Sequence, residues 1–341
     1  MNYLLVLTRA IHFGAVLWLF GEFVLFVFVI DPALRGVSSN PSIDTYEPAQ
    51  RLVRIAGWCV AIAVASACAW LLLETASMSG MPLAVAINRR TLETIIGETL
   101  FGRIWMCRLA ISLSLIALLC VAWRQQRRRQ GAMLQFVGTF LAGAYAATLA
   151  WTGHAAADAG ADKYIHLGSD ALHVLAAGAW VGALPGLISL LNRAGDSPSP
   201  ERLALTSSAA RRFSTMGLAT VSALAVTGLV NASYLVGSIA ALLGTGYGRL
   251  LLCKLLLFAV MVALAAVNRL HATPQLTLAA QSATGAAARD ALARLRSNAL
   301  LEIAGGAMIV GIVAVLGLTM PAAHMLHHEH PAPMTSERHD H

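Results

Sequence analysis

The sequence predicts an all-α polytopic membrane protein: eight transmembrane helices in two four-helix halves, with both termini outside the cytoplasm. Three observations predict it. The 341 residues are 57% apolar and only 12% charged, whereas a soluble domain carries about a quarter charged residues. Mean hydropathy is +0.68. The apolar residues also gather into eight runs, each long enough to cross a hydrocarbon core with about 20 residues at 1.5 Å rise. This composition excludes a disordered chain, a nucleic-acid-binding domain and an ordinary cytosolic enzyme.

The runs cover roughly 4–30, 55–77, 103–123, 132–152, 165–191, 213–236, 249–270 and 298–320. The first lacks a basic leader and carries His12 and Glu22 inside it, so it reads as a retained span rather than a secretory signal. The second ends in Ser77-Met78-Ser79-Gly80-Met81, and the third carries Arg108. The fourth ends at Gly153-His154. The fifth holds His166, Asp170 and His173, followed by Gly178, Gly182 and Gly186, a stripe that lets a neighbouring helix approach closely. The seventh holds Lys254 and runs to Asn268-Arg269. Residues 272–297 are Ala-rich with scattered Arg, as in an amphipathic segment on the cytoplasmic face. The chain therefore divides into an N-terminal half over 1–152, a C-terminal half over 153–320 and a His-rich tail over 321–341, with no sequence repeat evident between the halves.

Charge sets the orientation. The first, third, fifth and seventh connections and their flanks hold 15 of the 24 Lys and Arg, whereas the other side holds 6. The positive-inside rule then puts both termini in the periplasm of a bacterial inner membrane. The basic residues lie in short runs between apolar segments, so the net charge of +7 reflects orientation and no nucleic-acid partner. The five cysteines all fall in apolar runs, and none forms a Cys-x-x-Cys pair, which excludes a disulfide framework or zinc knuckle.

Ionisable groups within spans are costly and mark function. With this topology His12, His154, His166 and His173 share the outer half of the membrane. His166, Asp170 and His173 fall on one helical face by their spacing of four and three residues. Imidazole is a common ligand for copper, zinc and iron, and thioether sulfur favours Cu(I), so Met78 and Met81 are able to join the same pocket. The bland reading of any single His is a buried polar group paired across helices, and of the methionines, filler. The tail adds His324, His327, His328, His330, His339 and His341, a tract suited to metal capture. Arg108 and Lys254 either neutralise Glu74 or Asp170 or snorkel to the interface.

The segment Thr245-Gly246-Tyr247-Gly248-Arg249-Leu250-Leu251-Leu252-Cys253-Lys254, leading to Asn268-Arg269, resembles the signature of the CopD copper-resistance membrane proteins. Thr227-Gly228-Leu229-Val230-Asn231, Gly153-His154-Ala155, Asp170-Ala-Leu-His173, Trp180-Val-Gly182 and Ile11-His12-Phe13-Gly14 are similar to that family too. The likeness covers all eight spans and is strongest over about 150–270. It implies a copper-handling inner-membrane protein that works with a small periplasmic carrier of the CopC type, with His12, His154 and His173 as copper positions. Local chemistry adds His166 and Met78.

The expected function is copper uptake from the periplasm without ATPase chemistry, since the chain has neither an Asp-Lys-Thr-Gly motif nor a Cys-Pro-Cys span motif, and no P-loop. The copper oxidation state, Cu(I) or Cu(II), stays open, as does the oligomeric state. A b-type haem redox protein and a non-transporting copper sensor or carrier-docking module are the alternatives.

Overall fold

The computed structural model describes residues 2–37, 46–124, 131–153, 162–236, 238–282 and 285–319. Among the described residues, eight helical runs are long and apolar enough to cross a membrane. The first combines α1 (Asn2–Leu25), a π turn (Phe26–Ile30) and α2 (Asp31–Val37). The second is α3 (Tyr46–Ser79), followed by the short α4 (Leu83–Ala86) and α5 (Arg89–Glu98). The third is α6 (Leu100–Arg124); the fourth is α7 (Gly131–Ala147) with a 3-10 turn (Thr148–Thr152). The fifth is α8 (Asp162–Trp180), a 3-10 turn (Val181–Ala183) and α9 (Leu184–Asp196). The sixth is α10 (Pro200–Val236), followed by α11 (Ile239–Gly244). The seventh joins α12 (Gly246–Val267), a π turn (Asn268–Ala272) and α13 (Thr273–Ser282), and the eighth is α14 (Gly285–Leu316).

An even number of crossings brings the start of α1 and the end of α14 to one end of the bundle, here the terminal end. Their meeting is direct: a Cβ on Gly317 would collide with the Arg9 guanidinium. Among the described residues, Arg35, Arg51, Arg54, Arg193, Arg202 and Arg289 lie toward the opposite end.

Lipid is as apolar as Leu, so side-chain shape and hydrogen bonds hold these helices together rather than water exclusion. One core joins α1, α3, α6 and α7 around Val16, Leu19, Trp70, Leu115 and Tyr145. A second joins spans five to eight around Trp180, Leu184, Met261 and Leu276 and also takes in Leu25, Val29 and Ala33 of the first span. Span one therefore belongs to both halves. It crosses span five at the 3-10 turn, where a Cβ on Gly21 would run into Gly182 backbone and one on Gly182 into Leu17 backbone. The glycine stripe of span five thus packs on span one, and the contact sits at mid-length rather than at the terminal end.

Residues 272–297 depart from the surface segment expected. Spans seven and eight continue past the membrane-length stretch as a helical hairpin. Leu276 and Ala279 of α13 and Ala288, Ala291, Leu292 and Leu295 of α14 are buried in the second core. Their three- and four-residue spacing puts small and branched groups on one face, which closes α13 onto α14. Ser207 in α10 donates to Thr277 at 3.0 Å.

Candidate functional site

The polar face of α8 meets α10 antiparallel, and three contacts climb the seam. His173 Nδ1 lies 2.9 Å from Thr227 Oγ1. One turn nearer the terminal end, Asn231 Nδ2 donates to Asp170 Oδ1 at 3.3 Å. One further turn out, the His166 ring stacks on Tyr234 at 4.6 Å between centroids and 9° between planes. The shared face read from the sequence is therefore real, and it is turned to span six. Lys254 and Tyr247 of α12 stand within electrostatic reach of Asp170.

The tautomer of His173 follows from its partner. The Thr227 hydroxyl donates to the Ala223 carbonyl at 2.6 Å, so it can only accept from the imidazole. Nδ1 then carries the proton, and Nε2 holds the free lone pair.

His12 lies in the other half, between α1, α3 and α7. Its Nδ1 is 3.1 Å from both the Ala63 carbonyl and Ser66 Oγ. A carbonyl only accepts, and Ser66 donates to the Ile62 carbonyl at 2.7 Å. Nδ1 is again protonated and Nε2 again the lone pair. His12 is fully buried, and among the described residues its Nε2 has no hydrogen-bond partner. Its ring packs edge-on against Trp70 (5.5 Å) and Tyr145 (5.9 Å). Arg9 and Arg108 place their guanidinium carbons 5.0 and 5.3 Å from the Trp70 ring centre. Arg108 is buried and donates to Thr148 Oγ1 and to its carbonyl, both at 2.9 Å. It neither pairs with Glu74 or Asp170 through any hydrogen bond nor snorkels. Trp70 Nε1 donates to Glu74 at 2.9 Å.

The predicted ligands thus divide. His166 and His173 share the α8–α10 seam, whereas the partners of His12 come from α3 and α7. Met78 stands in the last turn of α3 and is about half exposed (51%). His154 and the His-rich tail lie outside the described residues. Among the described residues, no three His, Cys, Asp or Glu side chains gather as a ready metal cluster.

A second buried carboxyl went unnoticed in the sequence. Glu302 of α14 accepts from Trp180 Nε1 at 3.1 Å and from Asn268 Nδ2 at 3.0 Å, and Asn298 supports Asn268 at 2.8 Å. It borders a largely apolar cavity of about 150 Å³ toward the arginine-rich end, with Ser214 and Arg269 also on its wall. The available signal was a lone acidic residue within an apolar run. Glu22, noted from the sequence, is buried and accepts from Trp18 at 2.9 Å.

Residues 1–165 match the family described as copper resistance protein D-like, N-terminal domain, and residues 207–316 match copper resistance protein D. The chain is similar to copper resistance protein D of Pseudomonas syringae pv. tomato, 33% identical over 67% of this chain and 71% of that protein. It is also similar to copper transport protein CutJ of Bacillus subtilis (29% identity, 58% of this chain), of whose length it spans 35%. Inner membrane protein YebZ of Escherichia coli is 26% identical over 80% of this chain and 85% of that protein. No solved structure matches.

Proposed function

The chain belongs to the copper resistance protein D family, and from that premise we propose that it takes copper from the periplasm and mediates its uptake without ATPase chemistry. Copper is the cargo here. His12, His154 and His173 are the central ligands, with His166 on the seam of His173 and Met78 in the last turn of α3 as further ligands. A CopC-type carrier delivers the ion at the terminal end, which faces the periplasm under the positive-inside rule.

The observation that carries this reading is the orientation of the two described central imidazoles. Ligating histidines characteristically donate their other ring N–H to a fixed acceptor, which sets the tautomer and aims the lone pair. His12 and His173 are both held this way, and the aimed Nε2 of His12 is buried with no partner among the described residues. An unpaired buried acceptor is costly unless a guest fills it.

The test is copper content and copper uptake in vesicles for the parent, His173→Ala and His271→Ala. Loss of retained copper in His173→Ala, with His271→Ala like the parent, is expected. Parent-like copper retention and uptake in His173→Ala overturns the reading.

A further inference from the structure

We infer that the two halves are copies related by an approximate twofold axis near the crossing of spans one and five, and that each half carries its own imidazole metal site, one on His12 and one on His173. This rests on the copper reading above and deepens it, from one shared pocket to two equivalent ones.

The hydrogen bonds reveal a repeat that linear inspection misses. His12 pairs with a hydroxyl 54 residues on, Ser66, and His173 pairs with a hydroxyl 54 residues on, Thr227. Each hydroxyl donates to the carbonyl four residues earlier, Ile62 or Ala223. The same 161-residue step carries His12 to His173, Ser66 to Thr227 and Gly21 to Gly182.

The next span repeats as well. Thr99 accepts from the Gly102 amide at 2.9 Å and donates to the Ile95 carbonyl at 2.6 Å. Thr245 accepts from the Gly248 amide at 3.0 Å and donates to the Ala241 carbonyl at 2.7 Å. In both places a short amphipathic or apolar helix, α5 or α11, turns through this cap into a long span. A Cβ on Gly102 or Gly248 would strike the backbone of that short helix. The caps open matching strings, Thr99-Leu-Phe-Gly-Arg-Ile-Trp-Met-Cys-Arg108 and Thr245-Gly-Tyr-Gly-Arg-Leu-Leu-Leu-Cys-Lys254. Their last residues put a cation within electrostatic reach of the imidazole of their own half, Arg108 for His12 and Lys254 for His173.

Equivalent positions that touch each other lie on the axis relating two copies. Gly21 and Gly182 meet at the crossing of spans one and five, where a Cβ on Gly21 would strike Gly182 backbone and one on Gly182 would strike Leu17 backbone a turn earlier, so the axis passes beside this pair. His12 and His173 stand nine residues before these glycines on parallel helices, hence at one depth. Each faces away into its own half, toward Ser66 or toward Thr227. Such a geometry offers each half a borderline-to-soft transition-metal ion bound through one aimed Nε2.

The experiment measures copper per chain in full-length protein purified from copper-supplemented membranes, for the parent, His12→Ala, His173→Ala and the double variant. Tail ligands are constant across the four, so differences report the two seams. Two sites predict that each single variant loses one equivalent and the double loses two. A double variant that loses no more than either single one means a shared site and overturns the inference, as does a single variant that loses none. Ser66→Ala and Thr227→Val, which keep both imidazoles, guard against misfolding. Each should weaken copper tenfold or more at its own site only, read by chelator competition, and weakening at both sites from one change also overturns it. A parent that retains no copper sinks the copper reading and this inference together, whereas non-additive loss sinks the two-site arrangement alone.

Discussion

The 2.9 Å contact between His173 Nδ1 and Thr227 Oγ1 sets the register of the whole α8–α10 seam. From it, Asp170–Asn231 and His166–Tyr234 follow at one-turn intervals. Spacings of three and four residues on α8 are answered by four and three on its antiparallel neighbour, so a polar ladder forms inside an otherwise apolar bundle.

Replacing Thr227 by Val keeps the side-chain shape and removes the acceptor. Interhelical hydrogen bonds in membranes contribute about 0.6 kcal/mol on average and up to about 1.7. Thr227→Val should lower unfolding free energy in detergent by about 1 kcal/mol. An unchanged stability would show that the seam is held by packing alone.

The crossing of spans one and five should not tolerate side chains. Gly182→Val drives methyl groups into the Leu17 backbone, and overpacking of this kind costs about 3 kcal/mol. Gly168→Ala is the control: a Cβ there meets nothing within 4 Å, and a helical Gly-to-Ala change gains about 1 kcal/mol or less. Thermal unfolding of the two variants should move in opposite directions.

Glu302 anchors α14 to α8 and to the turn after α12. Glu302→Ala leaves Trp180 Nε1 and Asn268 Nδ2 without their acceptor, at about 1–3 kcal/mol for each stranded group. Glu302→Gln keeps one carbonyl acceptor and should lose less. Equal losses from both variants, measured by chemical unfolding, would mean that the bonds to Glu302 contribute nothing.

Reporter fusions test the orientation. Insertions at 124–131 and 197–205 should report the cytoplasm, and fusions after residue 320 the periplasm, from the 15-to-6 bias in Lys and Arg. A cytoplasmic C-terminus would put His12 and His173 near the wrong face for periplasmic copper.

Much of this protein was legible in the chain itself. Eight apolar runs of membrane length must become helices, because lipid offers backbone groups no partner outside a helix or barrel. His166, Asp170 and His173 share a face because helical geometry alone places them so, and Gly178, Gly182 and Gly186 marked a close approach for the same reason. What those faces meet was decided only by tertiary packing. The glycines met span one at Gly21, His173 met Thr227 and His12 met Ser66, through contacts 54 to 161 residues apart in sequence. The hairpin of α13 and α14 and the acceptor role of Glu302 were likewise settled by neighbours, since an Ala-rich helix or a lone Glu reads alike on a surface or in a core. Local periodicity is a property of consecutive residues, whereas a seam is a property of two segments brought together, and only the folded chain chooses the pair.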